Sequence, residues 1–377
     1  MGIVGLYKFI TDKFPQSLNH INLNDIGCCR VCVDTELWMY ASLYKLEHEN
    51  DFLLYFLNNI NQLLTANILP LFVFDGPSPV EKTKTIEERI DRKRKIEEKI
   101  LNTQNTIKKL KDDSDDTDKD KGDVKDSGDV KDSGDTKDSG DVKDNEEKDK
   151  KLLELLDTCE KLQSQVIHVT PRHRQMCIEL LRSLGFCVLI SEGESDKLCA
   201  ELCKNNIVNA VLSDDLDCIV FGSPYIVKKE RRKNAPMPYV LIKLEKLLNE
   251  MNLTMKQFIM FSTLIGCDYV KSPKGCGPVK ALRMARLYDS MEKCVERNKF
   301  NYRFSDTFLE DSKKAENIFT GYYDLSTITP YITEQFTNPS VDKQRCLEIL
   351  SCTSIEYDEI YRRVSTILTE SARLNFK

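Results

Sequence analysis

Histidine, tryptophan and long apolar runs are scarce in this chain of 377 residues, which has four histidines and one tryptophan. No stretch approaches the roughly 20 apolar residues that a membrane-spanning helix needs. The opening MGIVGLYKFITDKF also lacks the apolar core and small-residue cleavage site of a secretory signal. We therefore expect an intracellular protein with no membrane partner.

The 14 cysteines do not form a zinc or disulfide framework by their spacing. Cys29/Cys32 and Cys199/Cys203 are close pairs, but a structural zinc site needs four ligands and the few histidines form no second cluster. Disulfide frameworks are typical of small secreted domains. We expect free, mostly buried thiols.

A positive net charge is also missing, but the net charge of −6 comes from one segment. Residues 111–150 hold 17 acidic and 9 basic side chains, which leaves 46 basic and 44 acidic residues elsewhere. The unit G-D-V/T-K-D-S/N repeats there from Gly122, with almost no apolar residues to offset the entropy of ordering. We expect residues 112–150 to be a disordered acidic insertion, and the overall charge does not exclude nucleic acid as a partner.

Short apolar runs alternate with helical patterns outside this segment. Strands are predicted at residues 30–33, 71–74, 186–190, 210–213 and 225–227, and helices at residues 35–48, 51–66, 171–184 and 194–205. The third helix has clear end signals, with Thr170 as N-cap, Pro171 at the first position and Gly185 just past the end. The alternation predicts an α/β domain with a largely parallel sheet.

Acidic residues follow four of the predicted strands where each strand ends. They are Asp34, Asp75, the group Glu192, Glu194 and Asp196, and the group Asp214, Asp215 and Asp217. Because sites in parallel sheets form outside the carboxyl ends of the strands, these side chains are expected in one crevice. For any single acid, capping of the next helix is an equally good interpretation.

Several carboxylates in one crevice repel one another unless cations neutralise them. Oxygen ligands without a matching histidine or cysteine set favour Mg²⁺ or Mn²⁺ over zinc. Two such ions about 4 Å apart can activate water and stabilise the leaving oxygen in phosphodiester hydrolysis. The four acidic groups together therefore predict a metal-dependent phosphodiesterase site.

Six segments carry a more specific signal: MGIVGLYKFI, VCVDTELWMY, FVFDGPSP, GESDKLCAEL, SDDLDCIVFGSP, and LIGCDY followed by GCGP. In order and spacing they resemble the flap endonuclease branch of the XPG-type 5′ nuclease superfamily. The resemblance implies an α/β fold with a PIN-like or resolvase-like, largely parallel central sheet flanked by helices, a helical arch and a helix-two-turn-helix element. It implies a structure-specific DNA nuclease that cleaves 5′ flaps, with 5′–3′ exonuclease activity, in replication or repair.

The resemblance also implies two Mg²⁺ ions, replaceable by Mn²⁺, held by seven carboxylates. Matched position by position, these are Asp34, Asp75, Glu194, Asp196, Asp215, Asp217 and Asp268. Glu192 and Asp214 fall outside the pattern, and Asp196 stands where the branch usually has glutamate.

Basic residues of the arch match in the same way. The resemblance gives Lys82 and Arg89 a catalytic role on the scissile phosphate, and Arg92 and Lys93 match further arch residues. At 100° per residue, Lys82, Arg89 and Lys93 would share one stripe of a helix. A solvated face with mixed charges is the alternative interpretation.

Other DNA contacts are implied at Gly2, Tyr40, Ser272, Gly275, Gly277 and Lys280. Gly2 would lie close to the active site, and Tyr40 would stack on a terminal base. The turn containing Gly275 and Gly277 would hold duplex phosphates, with Lys280 beside them and K⁺ bound through carbonyls and the Ser272 hydroxyl.

We expect a single nuclease domain over residues 1–377. Its parts would be an N-terminal region with the first arch helix (1–110), the insertion (112–150), an internal region (152–265), the helix-two-turn-helix (264–290) and a C-terminal helical region (291–377). The ending TILTESARLNFK lacks the family's sliding-clamp motif, so clamp binding is not expected. A monomer acting on flapped or branched DNA, in the nucleus or another site of DNA replication, is expected.

Two other functions stay open at this point. A 5′ exonuclease or RNA-degrading relative is compatible with the Glu194–Asp196 spacing and the enlarged arch. A non-catalytic DNA-binding scaffold is disfavoured because none of the seven carboxylates is missing.

Neighbouring acids give a sharp test of this interpretation. Asp215→Ala should abolish nuclease turnover and leave DNA affinity in place, because the lost carboxylate acts on the metal and not on the DNA. Asp214→Ala is the matched control and should change turnover only mildly. Single-turnover cleavage and gel-shift binding measure both, and near-normal turnover of Asp215→Ala would contradict the metal assignment.

Overall fold

The computed structural model describes residues 2–44, 46, 48–115, 141–163, 165–230, 232 and 237–375. The chain divides into two compact units. The first comprises Met1–Thr85 with Val169–Lys377 and the second comprises Ile86–His168. Ile107 and Cys159 are buried apolar residues of the second unit. The expectation of a single nuclease domain stays a prediction.

The strands of the first unit form one seven-stranded sheet in the described residues, with the order β1-β7-β6-β5-β2-β3-β4. Their bounds are β1 Leu18–Ile21, β2 Cys29–Asp34, β3 Ile68–Phe74, β4 Val188–Ile190, β5 Ala210–Leu212, β6 Tyr225–Lys229 and β7 Tyr239–Lys243. Strands β2 to β6 pair in parallel, whereas β7 pairs antiparallel with both β1 and β6. The predicted largely parallel α/β sheet is confirmed.

All five predicted strands are present, as β2 to β6, with bounds that differ by one to three residues. The two antiparallel strands, β1 and β7, were not predicted. β1 has the short sequence LNHI, in which two of four residues are polar, and is half-buried over most of its length. Such a strand depends on pairing with β7, more than 200 residues away, and a local pattern does not reveal that pairing.

The helices, in chain order, are α1 Leu6–Lys13, α2 Thr35–Ser42, α3 Phe52–Thr65, α4 Thr83–Asp115, α5 Asp141–Gln163, α6 Pro171–Ser183, α7 Ser195–Lys204, α8 Asp217–Val220, α9 Leu244–Met251, α10 Met255–Ile265, α11 Pro278–Leu287, α12 Met291–Asn298, α13 Phe308–Thr320, α14 Ile328–Thr337, α15 Lys343–Leu350 and α16 Tyr357–Asn375. Short 3₁₀ turns lie at Pro15–Ser17, Leu23–Ile26, Glu49–Asp51 and Val80–Lys82.

The predicted end signals of α6 are confirmed. The backbone amide of His173 donates to Thr170 Oγ1 over 3.2 Å, which satisfies one of the free donors of the first turn. Gly185 follows the helix with φ of +82°, a conformation that favours glycine. By contrast, the helix predicted at 35–48 ends at Ser42 as α2.

Two predictions about the arch segment need correction. Helices α4 and α5 include residues 112–115 and 141–150, so the described flanks of the expected disordered insertion are helical, since an existing helix extends at little cost. Residues 116–140 lie outside the described residues. Lys82 belongs to the 3₁₀ turn before α4, so it does not continue the helical stripe of Arg89 and Lys93.

Strand β3 lies at the centre of the core, and all of its residues are buried. Its neighbours β2 and β4, and β5 on the far side of β2, run parallel to it, which brings their carboxyl ends to one edge of the sheet. Among the described residues no helix has the length and apolar character to cross a membrane.

Candidate active site

The seven predicted carboxylates lie where strands end and helices begin in the first unit. Asp34 is the last residue of β2, and Asp75 directly follows β3. Glu194 and Asp196 lie at the start of α7. Asp215 lies between β5 and α8, Asp217 is the first residue of α8, and Asp268 follows α10. The carboxyl edge of the sheet therefore carries the predicted acids.

Asp34 is the buried centre of this group, with 4% of its surface exposed. Two hydroxyls donate to its carboxylate: Ser195 Oγ over 3.1 Å to Oδ1 and Ser213 Oγ over 2.9 Å to Oδ2. Burial and the charges of Asp75 and Asp215 nevertheless raise the pKa of Asp34 to about 7. Because this folded-state pKa exceeds the ordinary value, ionisation between about pH 4 and 7 destabilises the fold unless a cation compensates.

Burial and neighbouring carboxylates also raise the pKa values of Asp196 and Asp217. Burial, and then the charges of Asp34 and Asp215, raise the pKa of Asp196, while the Cys218 thiol donates to its Oδ1 over 2.9 Å. Burial and the charge of Asp215 raise the pKa of Asp217, whose Oδ1 accepts from the Ile3 amide over 2.9 Å. The carboxylates therefore lie close enough to repel one another.

Lys82 supplies a positive charge to this cluster. Its Nζ contacts the carboxylate of Glu194 and lies 3.0 Å from Oδ2 of Asp268. Burial alone would lower the pKa of Lys82, but the two carboxylates outweigh burial and raise it. Lys82 is therefore charged, and it neutralises part of the acidic site.

Glu194 has a second partner, the Tyr269 hydroxyl, which donates to its carboxylate. Burial and the Glu194 charge raise the pKa of Tyr269, so the phenol keeps its proton and remains a donor. Sequence reasoning assigned no role to Tyr269, although it closes the motif LIGCDY.

Gly2 lies against two of the acids. A Cβ at this position would collide with Oδ1 of both Asp215 and Asp217, and the backbone has a φ of +34°. Gly2 therefore lies beside two of the predicted carboxylates, and its role in the active site stays a prediction. The glycine is required there because no side chain fits between the backbone and the carboxylates.

Around Asp75 the structure adds residues that sequence reasoning missed. The Ser195 amide donates to Asp75 Oδ1 over 2.7 Å, and the guanidinium of Arg174 donates to the Asp75 carbonyl. Burial followed by the Asp75 charge raises the pKa of Glu36, whose Oε1 lies 3.6 Å from Arg174 Nε. Glu36 could have been predicted, because it stands two residues after Asp34 in the motif VCVDTELWMY. No sequence pattern indicated Arg174.

Asp214 and Glu192, the two acids outside the family pattern, make contacts away from the cluster. Oδ1 of Asp214 accepts from the Lys229 amide over 3.2 Å and lies 3.7 Å from Lys228 Nζ, so this side chain is turned toward β6. Glu192 is exposed, and its backbone amide donates to the Tyr323 hydroxyl. Neither side chain joins the acidic cluster in these contacts.

The donor chemistry of the cluster fits a hard divalent cation. It offers carboxylate oxygens, the ligands that Mg²⁺ and Mn²⁺ prefer, and it is short of positive charge. In the described part of the chain, no three His, Cys, Asp or Glu side chains converge as ligands of one ion, and Lys82 lies against Glu194 and Asp268. Cation binding therefore requires water ligands or a shift of these side chains.

The turn between α10 and α11 contains the predicted helix-two-turn-helix residues. The Ser272 hydroxyl lies 2.9 Å from the Leu264 carbonyl and 3.2 Å from the Cys276 carbonyl, and Gly275 has a φ of +86°. Gly277 is the N-cap of α11, with Pro278 at its first position. Lys280 Nζ donates to the Gly275 carbonyl over 3.0 Å and lies over the Tyr302 ring.

The remaining predicted DNA contacts are single side chains on helices. Tyr40 is on α2 of the first unit and is 44% exposed. Arg89, Arg92 and Lys93 are on α4 within the second unit, where Arg92 Nε donates to the Glu88 carbonyl over 3.2 Å and Lys93 Nζ to the Ile167 carbonyl over 2.8 Å. Their DNA contacts stay predictions.

Comparison with protein families finds two matching regions. Residues 1–96 match the XPG N-terminal domain, and residues 185–268 match the XPG I-region. Flap endonuclease 1 of Cryptosporidium parvum is 24% identical over 96% of this chain and 66% of its own length. Flap endonuclease 1-A of Oryza sativa subsp. japonica is 28% identical over 81% of this chain and 72% of its own length. The chain thus spans about two thirds to three quarters of these relatives.

Solved structures show the same fold. Flap endonuclease-1 from Methanococcus jannaschii is similar with a TM-score of 0.59 and 19% identity, over 94% of this chain and 96% of that one. The Holliday junction-resolving enzyme GEN1, solved with product DNA, Mg²⁺ and Mn²⁺, gives a TM-score of 0.60 and 17% identity, over 98% of this chain and 77% of that one. The catalytic core of Rad2 with DNA substrate gives a TM-score of 0.55 and 19% identity, over 97% of this chain and 98% of that one.

A pair of glycine variants tests the contact between Gly2 and the acids. Gly2→Ala should lower Mn²⁺ affinity by at least about tenfold, a typical effect of disturbing the surroundings of metal ligands, because the new methyl displaces Asp215 and Asp217. Gly5→Ala is the control, since Gly5 also has a positive φ but would meet no atom within 4 Å. Mn²⁺ titration by electron paramagnetic resonance measures both, and equal affinities would contradict the proposed contact.

Proposed function

We propose that this chain, which belongs to the flap endonuclease branch of the XPG-type nuclease superfamily, is a hydrolase that cleaves 5′ flaps of branched DNA with the help of two divalent cations. The observation that carries the proposal is the set of seven carboxylates at the carboxyl edge of the sheet, where burial and mutual repulsion raise the pKa of Asp34, Asp196 and Asp217. Such a cluster is stable in its ionised form only with added cations.

The carboxylates would hold two Mg²⁺ ions, or Mn²⁺ in their place. When bound, these ions would supply Lewis-acid activation of water and phosphate. The chain's own residues would orient the ligands: Ser195 and Ser213 hold Asp34, while Tyr269 holds Glu194. These contacts fix carboxylate oxygens before substrate arrives, which lowers the reorganisation needed during the reaction.

Lys82 would change partners during the reaction. Its ammonium now pairs with Glu194 and Asp268, two of the carboxylates that would hold the cations, and it would have to leave them to act on DNA. The freed ammonium would then reach the scissile phosphate and stabilise charge that develops in the transition state. The family resemblance gives Arg89 a second role of this kind.

The duplex part of the substrate would bind along the helix-two-turn-helix. Backbone amides at Gly277 and the start of α11 can hold a phosphate without reading sequence. The Ser272 hydroxyl and its neighbouring carbonyls are oxygen donors of the type that K⁺ takes, which supports a K⁺ site in this turn. Tyr40 would stack on a base, and the acidic segment of the arch would repel nonspecific DNA.

Action on chromosomal or viral DNA during replication or repair, as an intracellular monomer, completes the proposal. A 5′ exonuclease or an RNA-degrading enzyme is the second candidate, because Asp196 is shorter than the usual glutamate and the arch is enlarged. A non-catalytic scaffold conflicts with the complete set of carboxylates.

A substrate panel separates these functions. With Mg²⁺ the chain should cleave a 5′-flap DNA faster than blunt duplex, single-stranded DNA or single-stranded RNA, and chelation by EDTA should stop cleavage. Asp215→Ala protein is the control for contaminating nucleases. Equal rates on flap and blunt ends would favour the exonuclease, preference for RNA would favour the RNA-degrading enzyme, and absence of any cleavage would favour the scaffold.

Lys82 gives a second test with a matched neighbour. Lys82→Met should lower single-turnover cleavage by about 10² to 10³-fold while flap affinity changes little, because the ammonium acts on charge that appears only in the transition state. The same variant should bind Mn²⁺ more tightly, since it removes a competing cation. Lys84→Met, an exposed lysine two residues later, should leave both unchanged. A loss of affinity alone would make Lys82 a simple phosphate anchor.

A further inference from the structure

Asp75, an expected metal ligand, is held by protein contacts to both its main chain and its side chain. Its carbonyl accepts from the Arg174 guanidinium, which also faces the Glu36 carboxylate. Its side-chain Oδ1 accepts from the Ser195 amide over 2.7 Å. The main chain and one carboxylate oxygen of Asp75 are therefore fixed from two helices, α6 and α7.

Glu36 and Arg174 are also partners of each other. Arg174 Nε lies 3.6 Å from Glu36 Oε1, and both side chains are largely buried, with 31% and 19% exposed for Arg174 and Glu36. The guanidinium carbon lies 5.6 Å from the centre of the fully buried Phe74 ring, which precedes Asp75 in the chain. Arg174 thus holds two consecutive residues at the end of β3.

The loop after Asp75 is anchored to the loop that carries Glu194. The Gly76 amide donates to the Gly193 carbonyl over 2.7 Å, and a Cβ at Gly76 would collide with the Ser191 carbonyl. The position of Asp75 is therefore set relative to Glu194 as well as to its own strand.

An eighth carboxylate beside an acidic cluster is costly for stability. Glu36 is repelled by Asp75, and a partly buried ion pair contributes little to stability compared with apolar residues of similar size. The gain from such a pair is geometric: a planar guanidinium that bonds a carbonyl and faces a carboxylate fixes orientation. The contacts of this pair converge on one expected metal ligand.

We propose that Glu36 and Arg174 are positioning residues that fix the Asp75 carboxylate in the orientation for binding a divalent cation. The inference rests on the proposed function, in which Asp75 is a metal ligand. Neither residue needs to touch the cation or the DNA, because both act through Asp75.

The test measures Mn²⁺ affinity of the full chain without DNA, by electron paramagnetic resonance. Arg174→Met and Glu36→Gln should each weaken Mn²⁺ binding by about 10 to 100-fold, the usual effect of residues that orient metal ligands. The double variant should lose less than the product of the two effects, because both act on the same backbone. Arg174→Lys should restore part of the affinity, since an ammonium can still donate to the Asp75 carbonyl.

Arg172→Met is the matched control. Arg172 lies two residues earlier on α6, its side chain is 68% exposed and its Nη1 lies 4.0 Å from Oε1 of the exposed Glu49. Its substitution should leave Mn²⁺ affinity unchanged. Thermal unfolding without metal should give similar midpoints for Glu36→Gln and the unsubstituted chain, so that a change in affinity is not a change in folding.

Three results would overturn the inference. Unchanged Mn²⁺ affinity in Glu36→Gln and Arg174→Met, with flap cleavage intact, would reject it and leave the proposed function standing. Weakened DNA binding with normal Mn²⁺ affinity would make Arg174 a phosphate contact instead. No Mn²⁺ binding and no cleavage by the unsubstituted chain would reject the proposed function and the inference together. If Arg174→Met does not fold, the nearly isosteric Glu36→Gln decides.

Discussion

Electrostatic repulsion among the carboxylates at the sheet edge is the constraint on which the rest of the site depends. The fold brings strand ends together to bury apolar strands, and this same packing forces Asp34, Asp196 and Asp217 into a poorly solvated place. The structure compensates with Lys82 and with donors from hydroxyl and amide groups. These contacts lower the cost of the ionised cluster but do not remove it, as the raised pKa values show.

The compensating groups also give the site its order. Hydroxyls of Ser195 and Ser213 hold Asp34, and the Tyr269 phenol and Lys82 hold Glu194. The Arg174 guanidinium and the Ser195 amide hold Asp75 at the end of β3. Every carboxylate with such a donor has fewer accessible orientations. The cluster is therefore prepared for cations in its geometry as well as in its charge.

Much of the first unit could be predicted from its sequence because its signals are local. Buried parallel strands such as β3 are continuous apolar runs, and the cap of α6 needs only Thr170, Pro171 and Gly185. The antiparallel strand β1 could not be predicted, since it is short and half-buried and depends on a distant partner. The division into two units also depends on packing within the charged helices, which the local pattern does not reveal.

The sequence by itself determined the seven candidate carboxylates, because strand ends and motif spacing are properties of short segments. Only the tertiary structure decided which charges meet: Lys82 contacts Glu194, which is 112 residues away, and Arg174 contacts Asp75 across 99 residues. It also separated Asp214 from Asp215, turning the first toward β6 and keeping the second in the cluster. The physical reason is that a candidate carboxylate can be recognised from the short segment that contains it. The groups that neutralise its charge come from distant segments, which meet only when the sheet and its helices pack.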